Sequence, residues 1–307
     1  MNEPLPLVSV FCPTYNHDKY ISQCLDGIVM QKRNFAIEVI VQDDASTDNT
    51  AKIIKKYASK YNYIIPNIHK ENQYTNGKNL NEYFFKNAKG KYVAFCEGDD
   101  YWTDPYKLQK QIDFLEANDD FSICFHNTKE QYVNSEKPTF LYCEKNQKEI
   151  STIEDLLQKS NFIPTCSVIF RNKLFKHFPN WFNDLGMGDW IIHILNAEHG
   201  KIKYLDSVMG VHRLHETGVW TNEKNINKLL QVYEAYLKLG EYFQNKFTYK
   251  AIIKNKKAQF LYLIHLEYHT IKDKWSALKY FIMFLLAAPT ESFKIKNIKR
   301  LIKLCIV

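Results

Sequence analysis

Apolar runs alternate with amphipathic segments through the first half of the chain. "LVSVFC" (7–12), "IEVIVQ" (37–42) and "KYVAFC" (91–96) are continuous enough to predict strands buried on both faces. Between them, residues 18–31, 48–61 and 78–88 carry apolar positions at helical spacing. Asp48 stands where a helix N-cap is expected, ahead of Ile53, Ile54 and Tyr57. Strand–helix alternation of this kind predicts an α/β fold whose mostly parallel sheet is covered on both faces. Ligands bind beyond the carboxyl ends of such strands. The stretches that follow the three strands, "PTYN" (13–16), "DDAS" (43–46) and "EGDD" (97–100), are all polar and are expected along one edge.

The pattern then changes. "FSICFH" (121–126) and "TCSVIFR" (165–171) predict strands, "GDWIIHILNAEHG" (188–200) a short helix closed by glycine, and residues 201–212 a pair of strands. Beyond about residue 221 the chain predicts helix throughout. A body of residues 1–220 with a helical region at 221–307 follows. Charge divides at the same place: residues 1–220 hold 25 Lys/Arg against 28 Asp/Glu, and residues 221–307 hold 16 against 6, a net of +10. A basic tail on a slightly acidic body suggests an anionic surface as the tail's partner. Nucleic acid is not expected, since no helix-turn-helix, zinc-finger or RNP-like stretch is present.

Composition narrows the class. With 307 residues, 45% hydrophobic and 24% charged, the chain is long enough for a full core and reads as globular. No secretory signal is visible in "MNEPLPLVSVFCPTYN". The seven cysteines form no C-x-x-C pair and several sit inside apolar runs, so they read as core residues of a cytoplasmic protein, without a zinc site or a disulfide framework.

The acidic strand ends carry the candidate chemistry. Carboxylates after a buried strand can hold a divalent cation that neutralises the phosphates of a nucleotide, and Gly98 permits a tight turn with close ligand approach. A solvated acidic turn is the plainer alternative for "EGDD" alone. The pair Asp43–Asp44 at the neighbouring strand end weighs against it.

Taken in order, "VSVFCPTYNHDKYISQCLDGIVMQ", "EVIVQDDASTDNT" and "NAKGKYVAFCEGDDYWTDPYKLQKQ" resemble the nucleotide-sugar-binding half of the family 2 glycosyltransferases of GT-A fold, and the likeness extends over residues 5–220. The resemblance implies a nucleotide-sugar half at about 1–104 and an acceptor half at about 105–220. It implies that Asp99 lies near the ribose, that Asp100 ligates Mn2+ or Mg2+, and that Thr14, Tyr15 and Asp44 line the nucleobase pocket, with Asp44 accepting a hydrogen bond from the base and Pro13 shaping the same loop. It also implies a catalytic base opening a helix across the cleft. Asp189 in "GMGDWIIHI" stands there, with Gly188 in place of the second acid common in the family. A simple helix cap is the alternative duty for Asp189. In "VHRLHETGVW" (211–220), Arg213-Leu-His215 matches the family's R-x-H element, so His215 is implied as a further metal ligand. His212, three residues earlier, is expected to face away from it in an extended strand. Trp102 and Trp220 stay open between pocket wall and core.

The implied activity is inverting transfer of a single sugar from a UDP-sugar to a glycan or lipid-linked glycan in bacterial surface-polysaccharide synthesis, such as lipopolysaccharide or capsule. The Q-x-x-R-W element of processive synthases is absent. A glycan-binding scaffold and a sugar nucleotidyltransferase are the alternatives; "CPTYNHDKY" lacks the glycines that a nucleotidyltransferase phosphate loop would show. Finally, "FKIKNIKRLIKLCIV" (293–307) places Ile295, Ile298, Leu301, Ile302 and Cys305 on one side at helical spacing, with lysines mainly elsewhere. That pattern suits the cytoplasmic face of an inner membrane with anionic lipid, or else a helical cap or dimer interface.

Overall fold

The computed structural model describes residues 5–77, 80–216, 218 and 223–288. Strand β1 (Val8–Thr14) is buried over nearly its whole length, which is why its sequence is mostly apolar, and the buried Ser9 donates its hydroxyl to Glu38 Oε1. The chain passes through α1 (Ile21–Val29) to β2 (Ile37–Asp43) and through α2 (Thr50–Ala58) to β3 (Ile64–Ile68). Helix α3 (Leu80–Asn87) then leads to β4 (Tyr92–Phe95). These four strands lie parallel in the order β3-β2-β1-β4, with Val10 beside both Val39 and Ala94. Helix α1 buries Ile21, Cys24, Leu25 and Ile28, one face at helical spacing, in the same core as Val8, Val10 and Cys12.

The remaining body elements are β5 (Tyr101–Trp102), α4 (Lys107–Ala117), β6 (Phe121–Tyr132), β7 (Phe140–Leu141), β8 (Ile150–Ser151), α5 (Ile153–Lys159), β9 (Ile169–Arg171), α6 (Gly188–Ala197) and β10 (Lys201–Leu214). The sheet continues as β4-β9-β6-β10-β5, with β9 antiparallel to both neighbours and β10 parallel to β6. Arg171, at the end of β9, donates to the carbonyls of Phe121, Leu115 and Asn118 and to the Tyr92 hydroxyl. One side chain thereby ties β4, α4 and β6 together. The mixed α/β fold with a largely parallel sheet is the one expected from the alternation of apolar runs.

Three elements differ from expectation. Residues 201–212 belong to one strand of 14 residues, not two. Register shifts between Leu205 and Gly210 bend it, and the polar Asp206-Ser207 at the bend mimics a turn. Strand β3, exposed at Ile65 and Pro66, lacks the apolar continuity that marked its neighbours. Helix α2 begins one residue later than expected, with Asn49 at the cap, while Asp48 still accepts from the Thr50 amide at 2.9 Å.

The chain divides into two compact units, one comprising residues 1–156, 160–184 and 188–215, the other 157–159, 185–187 and 216–307. In the second, α7 (Asn225–Tyr242), α8 (Phe247–Thr270) and α9 (Lys274–Ala287) pack successively, and Ala258 and Leu261 of α8 bury Phe281 and Phe284 of α9. Among the described residues, no helix is long and apolar enough to cross a membrane. Trp220 and the basic stretch 293–307 lie outside the described residues.

Candidate active site

Because β1, β2 and β4 run parallel, their carboxyl ends open on one edge, and the loops that follow are stitched together by hydrogen bonds. Asn16, in the left-handed region at φ 53°, takes a bond from the Thr47 amide on Oδ1 and donates its own amide to Ser46 Oγ. The amides of His17 and Asp18 donate to Thr50 Oγ1 and Asp48 Oδ2. Gly98 donates to the Pro13 carbonyl at 2.9 Å. A Cβ at Gly98 would stand 2.4 Å from Thr14 Oγ1, so only glycine lets the acidic loop close against the first loop.

That closure creates a compact donor cluster. Asp99 Oδ2 lies 2.9 Å from His215 Nε2 and 3.6 Å from His17 Nε2, and the three donor atoms fall within 4.8 Å of one another. Burial works against the Asp99 anion, but the two imidazoles more than offset it and hold its carboxyl below the usual range. Burial also lowers His17, against the pull of Asp99. His17 is fixed from behind by Thr14 Oγ1, 3.1 Å from its Nδ1. Two imidazole nitrogens and one carboxylate oxygen form a set that suits Mn2+ better than Mg2+, which prefers oxygen alone.

Asp100 faces elsewhere. Its Oδ1 accepts the Arg213 amide at 2.9 Å and the side chain is buried. Burial, with Asp99 beside it, raises its carboxyl to about 7. The Arg213 guanidinium donates to the Asp99 carbonyl and to Gln23 Oε1, and lies 4.3 Å over the Tyr101 ring. Glu97 is pushed well above the usual range by burial and by Asp100 and Asp99, with Asp189 adding to the effect across the cleft. His212 turns away from His215 and meets Glu130 Oε2 at 2.7 Å. Burial alone would lower His212; Asp100 and Glu130 reverse this and raise it to about 10.

Asp189 opens α6. Its Oδ2 accepts from Asn161 Nδ2 at 2.8 Å and Thr165 Oγ1 at 3.1 Å, while His193, one turn along, lies 3.3 Å from Asn161 Oδ1. Trp102 is a core residue, 1% exposed, donating its indole N–H to the Cys166 carbonyl. Tyr101 instead lines an open cavity of about 420 Å³ with Lys129, Gln131, Thr139 and Val211.

The glycosyl transferase family 2 model matches residues 9–178, more than half of the chain, which takes in the loops after β1, β2 and β4 and ends before Asp189 and His215. The chain belongs to glycosyl transferase family 2. Family membership bears out the resemblance carried by the three strand-end motifs. Among its relatives is the uncharacterized protein Rv1520 of Mycobacterium tuberculosis, 35% identical over 217 residues, which are 69% of this chain and 60% of that protein. The chain thus spans about 60% of the length of its mycobacterial relatives. The poly(ribitol-phosphate) beta-N-acetylglucosaminyltransferase TarS of Staphylococcus aureus is 41% identical over 96 residues, 30% of this chain and 16% of TarS. TarS residues 1–349 in complex with UDP-GlcNAc share the fold, with a TM-score of 0.65 at 22% identity, over 91% of this chain and 81% of that one. The Pyrobaculum calidifontis mannosyltransferase PcManGT, in complex with GDP-Man and Mn2+, also shares the fold, at a TM-score of 0.54 and 17% identity over 98% and 79%.

Within this family 2 chain, the residues singled out by sequence fall into three groups. Asp99 and His215 meet directly, and Thr14 joins them through His17. Asp100 lies next to them but outside the converging donor set. Tyr15 is 44% exposed, and Asp44 is buried with both carboxylate oxygens accepting amides, from Gln73 at 2.6 Å and Tyr74 at 3.1 Å. Two functional candidates escaped the sequence reading. His17 sits in the polar loop after β1, and its place on the ligand-binding edge was the available signal. Asp43 was visible only as half of an acidic pair. It is buried, and its Oδ2 has no hydrogen-bond partner among the described residues.

Proposed function

We propose that the chain is a metal-dependent, inverting glycosyltransferase that moves one sugar from a UDP-sugar to a hydroxyl of a glycan or lipid-linked glycan, at the cytoplasmic face of a bacterial inner membrane during surface-polysaccharide synthesis. The observation that carries this reading is the His17–Asp99–His215 donor set at the ends of the parallel strands, in a chain whose Asp189 carboxylate is held by Asn161 and Thr165.

The nucleobase enters beyond β1 and β2, where the unengaged Oδ2 of Asp43 suits a ring N–H; Asp44 orders the same wall through Gln73 and Tyr74. Pro13, Thr14 and Tyr15 border that wall. Asp99, His17 and His215 would hold Mn2+, which supplies positive charge beside the diphosphate. Arg213, anchored on the Asp99 carbonyl and Gln23, stiffens the loop beneath it. Asp189 takes the proton from the acceptor hydroxyl as that oxygen attacks the anomeric carbon. The bond from carbon to the nucleotide's phosphate oxygen breaks on the opposite face, so the product is inverted and the nucleoside diphosphate leaves. Thr165 and Asn161 hold Asp189 Oδ2, leaving Oδ1 to receive the proton.

Nucleotide release from UDP-GlcNAc and GDP-mannose, measured with Mn2+ and with chelator, tests the reading. UDP release that needs Mn2+, and that Asp189→Asn abolishes while donor binding persists, is the expected result. Wild-type turnover in Asp189→Asn, or failure of every UDP-sugar to bind or turn over, would overturn it.

A further inference from the structure

Helix α9 has an apolar face that the fold does not use. Its inner side, Ala277, Phe281 and Phe284, is buried with Ala258 and Leu261 of α8. The opposite side of a surface helix is ordinarily polar. Here it carries Trp275, Ile282 and Leu286, which are 84%, 45% and 78% exposed. At 100° per residue these three fall within an arc of about 40° and run about 16 Å along the axis. The start of the helix is fixed, because Asp273 caps it by accepting from the Ser276 amide, so Trp275 is held in the first turn.

Basic residues outnumber acidic ones around this stripe. Helix α9 contains Lys274 and Lys279 and no acidic residue, and Lys272 and the capping Asp273 precede it. The sequence that follows, residues 288–307, has Lys294, Lys296, Lys299, Arg300 and Lys303 against the single acid Glu291. Fourteen residues are too few to span a bilayer, which takes about 20. A short helix with an apolar stripe, an indole at one end and lysines at its flanks fits the plane of an anionic lipid surface, where tryptophan sits at headgroup level and lysine stems reach the phosphates.

We propose that the Trp275–Ile282–Leu286 face of α9 is the seat on which this chain docks to an anionic membrane. The inference rests on the peripheral-membrane part of the proposed function, and it moves the contact from the terminal stretch 293–307 alone to a defined face of α9. Lipid is favoured over a second copy of the chain because one narrow stripe flanked by lysines is self-repulsive against its own image and complementary to phosphate headgroups.

The full chain is tested by flotation with vesicles of equal parts phosphatidylglycerol and phosphatidylcholine, and with phosphatidylcholine alone. Three versions are compared: wild type, the triple variant Trp275→Ser/Ile282→Ser/Leu286→Ser, and the tail variant Lys296→Glu/Lys299→Glu/Lys303→Glu. All three should keep the wild-type melting temperature and nucleotide release, since every substituted α9 residue is exposed. Wild type should float with anionic vesicles, and the triple variant should lose at least tenfold in partitioning. Loss of three exposed apolar side chains is large enough for that. A blue shift of tryptophan emission on vesicle addition should disappear in Trp275→Phe. Equal flotation of wild type and the triple variant, with loss only in the tail variant, overturns the α9 seat while leaving membrane association standing. Wild type that floats with neither vesicle overturns both. A wild-type dimer that the triple variant dissolves, without flotation, overturns the proposal and assigns the face to a second copy.

Discussion

Thr165→Val, alone and with Asn161→Ala, isolates what holding Asp189 is worth. Valine keeps the shape of threonine and removes only the hydroxyl that Asp189 Oδ2 accepts at 3.1 Å; alanine at 161 removes the second donor, at 2.8 Å. Hydrogen bonds to a charged group contribute about 1.5–3 kcal/mol. Asp189 is only half-buried, so water replaces part of each bond and the lower figure applies. Two effects then compete. A general base acts in part through its strength, and only a fraction of any gain in strength reaches the barrier. Against this, a base that swings by about 1 Å forfeits about 100-fold in rate. Loss of position therefore wins. Thr165→Val should lower kcat about tenfold, and the double variant about 30- to 100-fold, with the affinity for UDP-sugar within about twofold of wild type because the bonds removed are to Asp189. Steady-state nucleotide release at saturating acceptor, with donor affinity from calorimetry, separates the two quantities. Undiminished kcat in the double variant would refute the role given to Asn161 and Thr165, and would leave Asp189 as no more than an acidic residue in the first turn of α6.

Gly98→Ala should weaken UDP-sugar binding and lower the melting temperature together, because the added methyl meets Thr14 Oγ1 at 2.4 Å and Cβ at 2.6 Å; a variant with native affinity would show that the two loops need not touch. The His212–Glu130 pair predicts a pH dependence. With His212 raised to about 10, its contribution is complete below its unfolded value near 6.5 and is lost as pH rises toward 10. Denaturant unfolding of wild type and His212→Gln should therefore give stability differences that shrink across that interval, and a constant difference would disprove the pairing.

What could be read from sequence follows from how each signal is encoded. Buried parallel strands write themselves as apolar runs, so β1, β2 and β4 were legible, and with them the edge where the loops meet. Strand β3, half-exposed, and the bend in β10 were not, since a polar bulge and a turn share residue types. Pairings between distant segments leave no local mark. Nothing near residue 17 announces residue 215, and nothing in "SNFIPTC" announces a carboxylate 28 residues onward in sequence. Lys107 makes the same point from the other side. It reads as a surface lysine, yet it is fully buried, lies 4.0 Å over the Trp102 ring, and burial lowers it to about 7.

Adjacent carboxylates repel, so the cost of placing Glu97, Asp99 and Asp100 in one tight turn has to be offset by what surrounds each. The surroundings differ. Asp99 faces two imidazoles and keeps its charge at low pH, as a cation ligand must. Asp100 turns inward to the amide of Arg213, and its raised carboxyl sheds charge that would otherwise add to the repulsion. Glu97, also raised by burial and by its acidic neighbours, does the same. The cluster thus contains one well-supported anion flanked by two carboxyls whose ionisation is suppressed only while no stronger positive charge is near. A divalent ion beside Asp99 would reverse that suppression, drawing protons from its neighbours and deepening its own site. An acidic turn built for solvation alone would gain nothing from burial that raises two of its three carboxyls, and this difference is the physical argument for reading the turn as a cation site.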